Sequence, residues 1–231
     1  MRPRSDDRKK ILLIDLITGQ LDPARFVAIV VALIVGITVH EFSHALAATW
    51  LGDTLPERQG RLTLSPAAHL DPFGSLMILV AGFGYGRPVQ YNPYALRASP
   101  RMGPLIVALA GPASNIILAA FLAVIVRAVN WGMGIGQVVS DLGFVSAFLS
   151  LLIVMVQLNL FLAFFNLIPI FPLDGFSVLL GLLPPNLAFR YEQTRQWGMI
   201  LLFAFVFLGG GFLSLLINPP VFFLFRLLIG R

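Results

Sequence analysis

Four long apolar stretches limit what this chain can fold into more strongly than any other feature. They lie at Phe26–Leu51, Gly103–Val126, Leu142–Leu173 and Gln196–Phe225. A hydrocarbon core of roughly 30 Å needs about 20 helical residues, and each stretch is long enough to cross it. The chain is also 58% hydrophobic and only 12% charged, which is too apolar for an ordinary soluble domain. We therefore expect an all-α polytopic membrane protein with about four to six transmembrane helices in a lipid bilayer.

The fourth stretch is interrupted by the sequence Asn218-Pro219-Pro220. Proline removes a backbone N–H group and clashes with the preceding helical turn. We therefore predict one full helix that ends near Ile217, followed by a shorter returning helix.

A shorter uncharged segment, Gly74–Gly86, follows the first long stretch. About 13 residues are too few for a spanning helix, and four glycines in the segment argue against a regular helix. We predict a re-entrant or β-hairpin element, which membrane depth permits only where protein or a cavity satisfies the backbone. Its edge, from Gly84 to Tyr91, would then be available to hold an extended peptide by β-addition.

The basic residues predict an orientation in the membrane. They cluster in the connections 52–101 and 174–195 and at the C-terminus, whereas 130–140 has none. By the positive-inside rule, the clustered regions face the cytoplasm. The basic N-terminal segment 1–23 falls on the other side in this scheme, so either its charges are translocated or Ile11–Ile17 forms an extra interfacial element. The net charge of +5 includes no basic stripe with interleaved aromatic residues, so we do not expect nucleic-acid binding.

The first apolar stretch contains the sequence His40-Glu41-Phe42-Ser43-His44, an HExxH pattern. Residues four apart share one face of a helix, so His40 and His44 can bind one metal ion with Glu41 beside them. Ionisable residues at membrane depth are costly and usually functional. The alternative, a polar cluster that packs helices together, does not explain three such residues within five positions.

Asp174 is the other carboxylate that lies inside a long apolar region. It follows a segment, Asn166–Leu173, whose prolines break the helix and free backbone groups. Alone, Asp174 would be interpreted as an Asp-Gly turn. However, His40 lies roughly 24 Å along the first span, and the third span ends beside Asp174 at the same depth if Gly74–Gly86 does not cross the membrane. His40, His44 and Asp174 would then supply two imidazoles and a carboxylate to one zinc ion, leaving Glu41 as general base.

Two asparagines are candidates for contact with a substrate. Asn115 and Asn166 could each donate a hydrogen bond to a substrate backbone or to a developing oxyanion. Equally, Asn115 could pack or cap a helix, and Asn166 could satisfy carbonyls freed by Pro169. His69 lies in a Pro-rich connection, which favours a structural role, and Asn159 is expected to form a hydrogen bond between helices.

The motifs occur in a recognisable order. HEFSH is followed by Gly60–Pro66 with His69–Pro72, then by Ala110–Asn115 and by Pro172–Gly175. From about Phe26 to Leu180 the chain resembles the site-2 protease family of intramembrane zinc metalloproteases, in the short prokaryotic form without a PDZ or CBS domain. Phe171 and Phe176 stand where the family commonly has proline and glycine.

The resemblance implies a three-helix catalytic core in a single domain 1–231, with the core at 24–180 and C-terminal helices at 196–231. It also implies a zinc endopeptidase that cuts the transmembrane segments of membrane-protein substrates in regulated intramembrane proteolysis. The site would face the cytoplasmic side of a prokaryotic cell membrane. A membrane metal-ion transporter and a catalytically silent membrane scaffold are the alternative functions.

Overall fold

A computed structural model of the chain describes residues 16, 19, 21–81, 86–132, 143–208 and 210–230. The described chain is helical and contains no β-strand. The helices, in chain order, are α1 (Pro23–Trp50), α2 (Leu55–Arg58), α3 (Pro66–His69), α4 (Pro72–Ala81), α5 (Met102–Gly132), α6 (Gly143–Asn166), α7 (Asp174–Leu182), α8 (Pro185–Glu192), a 3₁₀ helix (Gln193–Trp197), α9 (Gly198–Leu208) and α10 (Gly210–Ile229). The predicted N-terminal element at Ile11–Ile17 lies outside the described residues, apart from Leu16.

Four of these helices are long and apolar enough to cross a membrane, namely α1, α5, α6 and α10. Large apolar side chains remain exposed on them, among them Ile117, Phe121 and Leu215. A soluble monomer rarely exposes apolar surface on this scale, and in a membrane the same side chains face lipid. The predicted all-α fold is confirmed, and the four membrane-length helices of the described residues agree with the predicted number of about four to six.

Three of the long helices form the core of the bundle. Helices α1, α5 and α6 pack against one another in all three pairs, and small residues at their contacts let the backbones approach closely. Ala32 and Ala119 are fully buried. At Gly36 of α1, an added Cβ atom would lie 2.8 Å from Leu162 Cδ1 and 3.1 Å from Asn159 Oδ1. Glycine at this position therefore sets the distance between α1 and α6.

Helix α10 corrects the prediction of a break at Asn218-Pro219-Pro220. The helix continues through both prolines to Ile229, and the apolar residues before it form the short helix α9. Ile217 and Val221 are buried in the core cluster, where α10 packs on α6 and α5. Helices in membranes tolerate proline when neighbouring helices and local adjustments compensate for the lost hydrogen bond, and the packing on both sides of the prolines provides such neighbours.

The segment that follows Asp71 returns to the place where it began. Leu70 and Gly86 form an isolated antiparallel bridge, and the Arg87 N–H group donates to the His69 carbonyl oxygen at 2.7 Å. This return is what a re-entrant element requires. The first half is nevertheless a regular helix, α4, so the expectation that glycine would prevent one is wrong there. The Gly74 N–H group is satisfied by the Asp71 carboxylate at 2.8 Å, which caps the helix. Residues 82–85 lie outside the description.

After this return, the chain runs extended through residues 86–92, and side chains from the preceding connection hold it. The buried Asp53 carboxylate accepts hydrogen bonds from the Leu55 and Asn92 N–H groups, at 3.0 and 2.6 Å. The Arg61 guanidinium donates to the carbonyl oxygens of Ala68 and Pro88. Residues 86–92, the extended segment hereafter, are thereby fixed to the connection that follows α1.

The packing at Gly36 predicts the effect of adding one methyl group. We expect Gly36→Ala to destabilise the protein by about 1–3 kcal/mol, because the new methyl group must displace Leu162 and Asn159. Gly211→Ala, where nothing lies within 4 Å of the added atom, is the matched control and should have little effect. Thermal unfolding of the detergent-purified variants measures both, and equal melting temperatures for the two would contradict the packing argument.

Candidate metal centre and active site

The HEFSH motif lies in the C-terminal half of α1. His40 and His44 are one helical turn apart, and their rings meet edge to face with centroids 4.6 Å apart. Both residues are buried, each with 7% of its surface exposed. The helical spacing therefore brings the two imidazoles to one face of α1, inside the bundle.

Asp174 lies beside the two imidazoles, although it is more than 100 residues further along the chain. Helix α6 ends at Asn166, the chain turns through 167–173 with a cis bond before Pro172, and Asp174 begins α7. Asp174 Oδ2 lies 3.0 Å from His40 Nε2, and Asp174 Oδ1 lies 3.3 Å from His44 Nε2. One donor atom from each of the three residues lies within 4.8 Å of the others. The structure thus brings all three predicted ligands together.

The hydrogen bonds of the two imidazoles fix which nitrogen faces the carboxylate. His40 Nδ1 lies 2.6 Å from Asn115 Oδ1, and His44 Nδ1 lies 2.7 Å from the Val107 carbonyl oxygen. Both partners are acceptors, so each Nδ1 carries the proton and donates. Each Nε2 is then unprotonated and directs a lone pair toward Asp174, which is the tautomer that a metal-binding histidine needs.

Two observations show that a cation fits between these side chains. Asp174 Oδ2 is buried and has no hydrogen-bond donor among the described residues. The two imidazole lone pairs that face the carboxylate are acceptors as well, so a cation is the partner that suits all three groups. Gly111 of α5 leaves the space beside both rings open, since a Cβ atom there would lie 2.6 Å from His40 Nε2. Two imidazoles and one carboxylate, with room for a further ligand, are a donor set typical of hydrolytic zinc sites.

Glu41 lines a cavity of about 490 Å³ that opens beside the metal-ligand cluster. The walls are mostly apolar, and they come from six helices (α1, α4, α5, α6, α7 and α9), from the turn before Asp174 and from the extended segment. Phe73 and Met77 of α4 contribute to one part of the wall, and Leu202 and Val206 of α9 to another. The arrangement gives an apolar chain access to a carboxylate and a potential metal ion in one place.

Apart from Glu41 and the three candidate metal ligands, the polar residues in the cavity wall are Tyr91, Asn166 and Ser177. Asn166 lines it and donates one amide hydrogen to the Leu162 carbonyl oxygen at 2.9 Å. Tyr91 of the extended segment also lines it, and burial raises the pKa of its phenol, so the hydroxyl remains neutral. Asn166 is therefore in position for the predicted contact with a substrate.

Asn115 has the environment of one of the two alternatives that the sequence left open. It is fully buried and is not among the residues that line the cavity. Its Oδ1 accepts from His40, and its Nδ2 donates to the Gly36 carbonyl oxygen at 3.0 Å and to Asn159 Oδ1 at 2.8 Å. These partners correspond to the packing alternative of the sequence analysis and leave no donor for a substrate. They also hold His40 in its metal-binding tautomer.

Three participants were not identified as site residues from the sequence. Asn159 was expected to link helices, and it does so by accepting from Asn115, but this link also supports His40. Gly111 and the Val107 carbonyl give no chemical signal in a sequence, since one has no side chain and the other acts through its backbone. The small residues around Gly111-Pro112 were the available hint of close approach.

His69 does not join the metal-ligand cluster. It is fully buried, and its Nε2 lies 2.6 Å from the Thr63 carbonyl oxygen. Its own carbonyl accepts from Arg87. These contacts give His69 a structural role, in agreement with the sequence analysis.

An aromatic cluster holds the turn that precedes Asp174. The Phe176 ring stacks on Tyr191 with centroids 4.6 Å apart, and the Arg195 guanidinium lies 4.8 Å from the centroid of Phe171 and 4.9 Å from that of Phe176. The Tyr191 hydroxyl donates to the Pro169 carbonyl oxygen at 2.7 Å. The two phenylalanines that depart from the family pattern thus contact each other and Arg195, and they tie the turn to α8 and the 3₁₀ helix.

Comparison with known proteins is consistent with this geometry. A model of peptidase family M50 matches residues 28–209. A Bacillus subtilis protein named as a zinc metalloprotease, YwhC, is 40% identical over 172 residues, which cover 74% of this chain and 76% of YwhC. Rip2 of Mycolicibacterium smegmatis, also named as a zinc metalloprotease, is 30% identical over 182 residues, which cover 76% of this chain and 65% of Rip2. The chain therefore spans slightly less than two thirds of Rip2, and no solved structure matches it.

The family match covers most of the chain, and the curated relatives carry zinc metalloprotease names. His40, His44 and Asp174 form a group that could hold the zinc ion, in a bundle with four helices of membrane-spanning length. The chain belongs to peptidase family M50 and is a multi-pass zinc metalloendopeptidase.

Proposed function

We propose that the protein hydrolyses a peptide bond within or near the transmembrane segment of other membrane proteins. The observation that carries the proposal is the convergence of the HEFSH histidines and Asp174 inside a bundle of membrane-length helices, beside an apolar cavity. An apolar cavity inside such a bundle suits an apolar transmembrane segment better than a soluble peptide. The family supports peptidase activity over the transporter and the silent scaffold, the alternatives raised by the sequence.

In this mechanism His40, His44 and Asp174 hold the zinc ion and Glu41 moves the proton. A zinc ion held there would supply Lewis-acid chemistry, which polarises a peptide carbonyl and makes a bound water more acidic. Glu41 takes a proton from the attacking water as the water oxygen bonds to the carbonyl carbon. It then delivers that proton to the amine nitrogen as the C–N bond breaks, so Glu41 returns to its starting state.

The two asparagines have separate roles in this scheme. Asn166, in the cavity wall, donates a hydrogen bond to the substrate backbone or to the oxygen that becomes negatively charged during attack. Asn115 orients His40 through Oδ1 and is itself held by Gly36 and Asn159. A ligand whose tautomer is fixed in advance binds metal more tightly.

The substrate is bound as an extended chain along the extended segment. A helical peptide hides its peptide bonds, so it must unwind before hydrolysis, and an extended backbone edge can stabilise the unwound form. Gly86, Val89 and Tyr91 line the cavity, and Asp53 and Arg61 fix this segment from outside the cavity. Following the positive-inside rule, cleavage occurs toward the cytoplasmic side of the membrane, as in regulated intramembrane proteolysis.

Glu41→Gln tests the assignment of the general base. The substitution keeps the shape of the side chain but removes its basicity, so we expect cleavage of a panel of labelled single-span peptides to fall by about 10²- to 10⁴-fold. Zinc content should stay at the wild-type level because Glu41 is not a ligand. Wild-type cleavage by the variant would remove Glu41 from the mechanism.

Gly111→Ala tests the metal site without altering a ligand. The added methyl group would occupy the space beside His40 and His44, so we expect a marked loss of zinc from detergent-purified protein, as for Asp174→Ala. Gly143→Ala is the matched control, since nothing lies within 4 Å of its added atom. Atomic absorption gives zinc per chain, and circular dichroism checks the fold. Full zinc occupancy in a folded Gly111→Ala protein would contradict the proposed site.

Val89→Pro tests binding along the extended segment. Proline removes the Val89 N–H group, which has no backbone partner among the described residues. We expect cleavage to slow by about fivefold, the value of one hydrogen bond. Val89→Ala keeps the N–H group and serves as the control. Zinc content should match wild type in both variants, and equal cleavage rates for the two would exclude binding through this group.

A further inference from the structure

A second cavity, of about 370 Å³, adjoins the catalytic one and shares Pro88 with it. Its polar lining consists of two arginines and two glutamines. The residues around it are Gln59, Arg61, Ala68, Arg87, Pro88 and Gln90. The extended segment therefore contributes to both cavities, and the second one has no part in the chemistry described so far.

Arg61 contributes a nearly enclosed positive charge to this cavity. The residue is only 5% exposed, and its guanidinium donates to the carbonyl oxygens of Ala68 and Pro88. Carbonyl oxygens satisfy two of its N–H groups but do not neutralise its charge. A buried guanidinium is normally paired with an anion, because removing the charge from water is otherwise costly.

Arg87 adds a second positive charge to the same cavity instead of neutralising the first. Among the described residues, no carboxylate lies within ion-pair distance of Arg61 or Arg87; the recorded pairs join Asp174 to the two histidines and Glu192 to Arg195. Burial and the charge of Arg87 lower the pKa of Arg61 from its usual value, and the smaller, opposite effect of the Glu41 carboxylate does not offset them. Two guanidinium groups that share one cavity repel each other until an anion enters.

The other polar groups also suit an anion. Gln59 Nε2 donates to Gln90 Oε1 at 3.2 Å, and this bond uses one amide oxygen as an acceptor while leaving amide hydrogens free to point at a ligand. A guanidinium presents its N–H groups as a planar fork that matches phosphate oxygens. The cavity also lies in the connection between two membrane-length helices, where basic pockets bind lipid head groups.

We propose that this cavity is a phosphate-binding site, occupied by the phosphodiester of a phospholipid head group or by free phosphate. The ligand bridges Arg61 and Arg87 and relieves their repulsion. Because Arg61 also holds the Pro88 carbonyl, an occupied site fixes the extended segment beside the catalytic cavity. Phosphate binding here uses neither the candidate zinc ligands nor Glu41, so it can be tested on protein whether or not the proposed function holds.

Calorimetric titration of the full chain in a non-ionic detergent tests the proposal. The probes are inorganic phosphate and the water-soluble lipid dihexanoyl phosphatidylglycerol, with acetate at matched ionic strength as the reference anion. Wild type is compared with Arg87→Gln, with Arg87→Lys, and with Arg190→Gln as a matched control at an exposed arginine on α8 outside the cavity. Arg87 is the residue to change because Arg61 also supports the fold.

We expect saturable binding of at least one phosphate probe, at least tenfold weaker in Arg87→Gln, largely restored in Arg87→Lys and unchanged in Arg190→Gln. Tighter binding of the lipid identifies a head-group site, and tighter binding of inorganic phosphate identifies a site for the free ion. The proposal is overturned if neither probe binds saturably, if acetate binds as tightly as phosphate, or if Arg87→Gln binds like wild type.

Discussion

The contact between Asp174 and the imidazoles of His40 and His44 is the constraint on which the rest of this structure depends. Three polar side chains meet inside an apolar bundle, where each would be costly without a partner. Neighbouring groups reduce that cost by hydrogen bonding to the histidines. Asn115 and the Val107 carbonyl accept from the outer nitrogens of the imidazoles, which directs the inner nitrogens toward one point. A zinc ion at that point would offset the cost of the cluster, and the three side chains form a group that could hold it.

Close approach of the helices makes this arrangement possible. Gly36 lets α1 approach Leu162 and Asn159 of α6, and Gly111 lets α5 approach both imidazoles. In lipid, where association does not gain from the hydrophobic effect, small residues and buried hydrogen bonds hold helices together. The hydrogen bonds that join Asn159, Asn115 and His40 therefore hold α6, α5 and α1 together and also orient the His40 ring.

The extended segment connects the chemistry to its surroundings. One part of its surface lines the catalytic cavity, and Pro88 also lines the basic cavity that contains Arg61 and Arg87. Its position is fixed by Asp53 and by Arg61, which come from the connection after α1. The proposed substrate contact and the proposed phosphate site therefore share this segment, and Pro88 is the residue common to both cavities.

The sequence by itself determined the apolar helices, the helical face shared by His40 and His44, and the pairing of HEFSH with Asp174, because helical periodicity and the cost of burying charge act locally or over known lengths. Tertiary structure decided the rest. Packing of Ile217 and Val221 carried α10 through its prolines, and Asp71 capped a helix where glycine suggested none. Asn115 turned toward His40 instead of the cavity because Gly36 and Asn159 took both of its amide hydrogens. These outcomes depend on contacts between residues that are far apart in the sequence, so a local sequence pattern does not predict them.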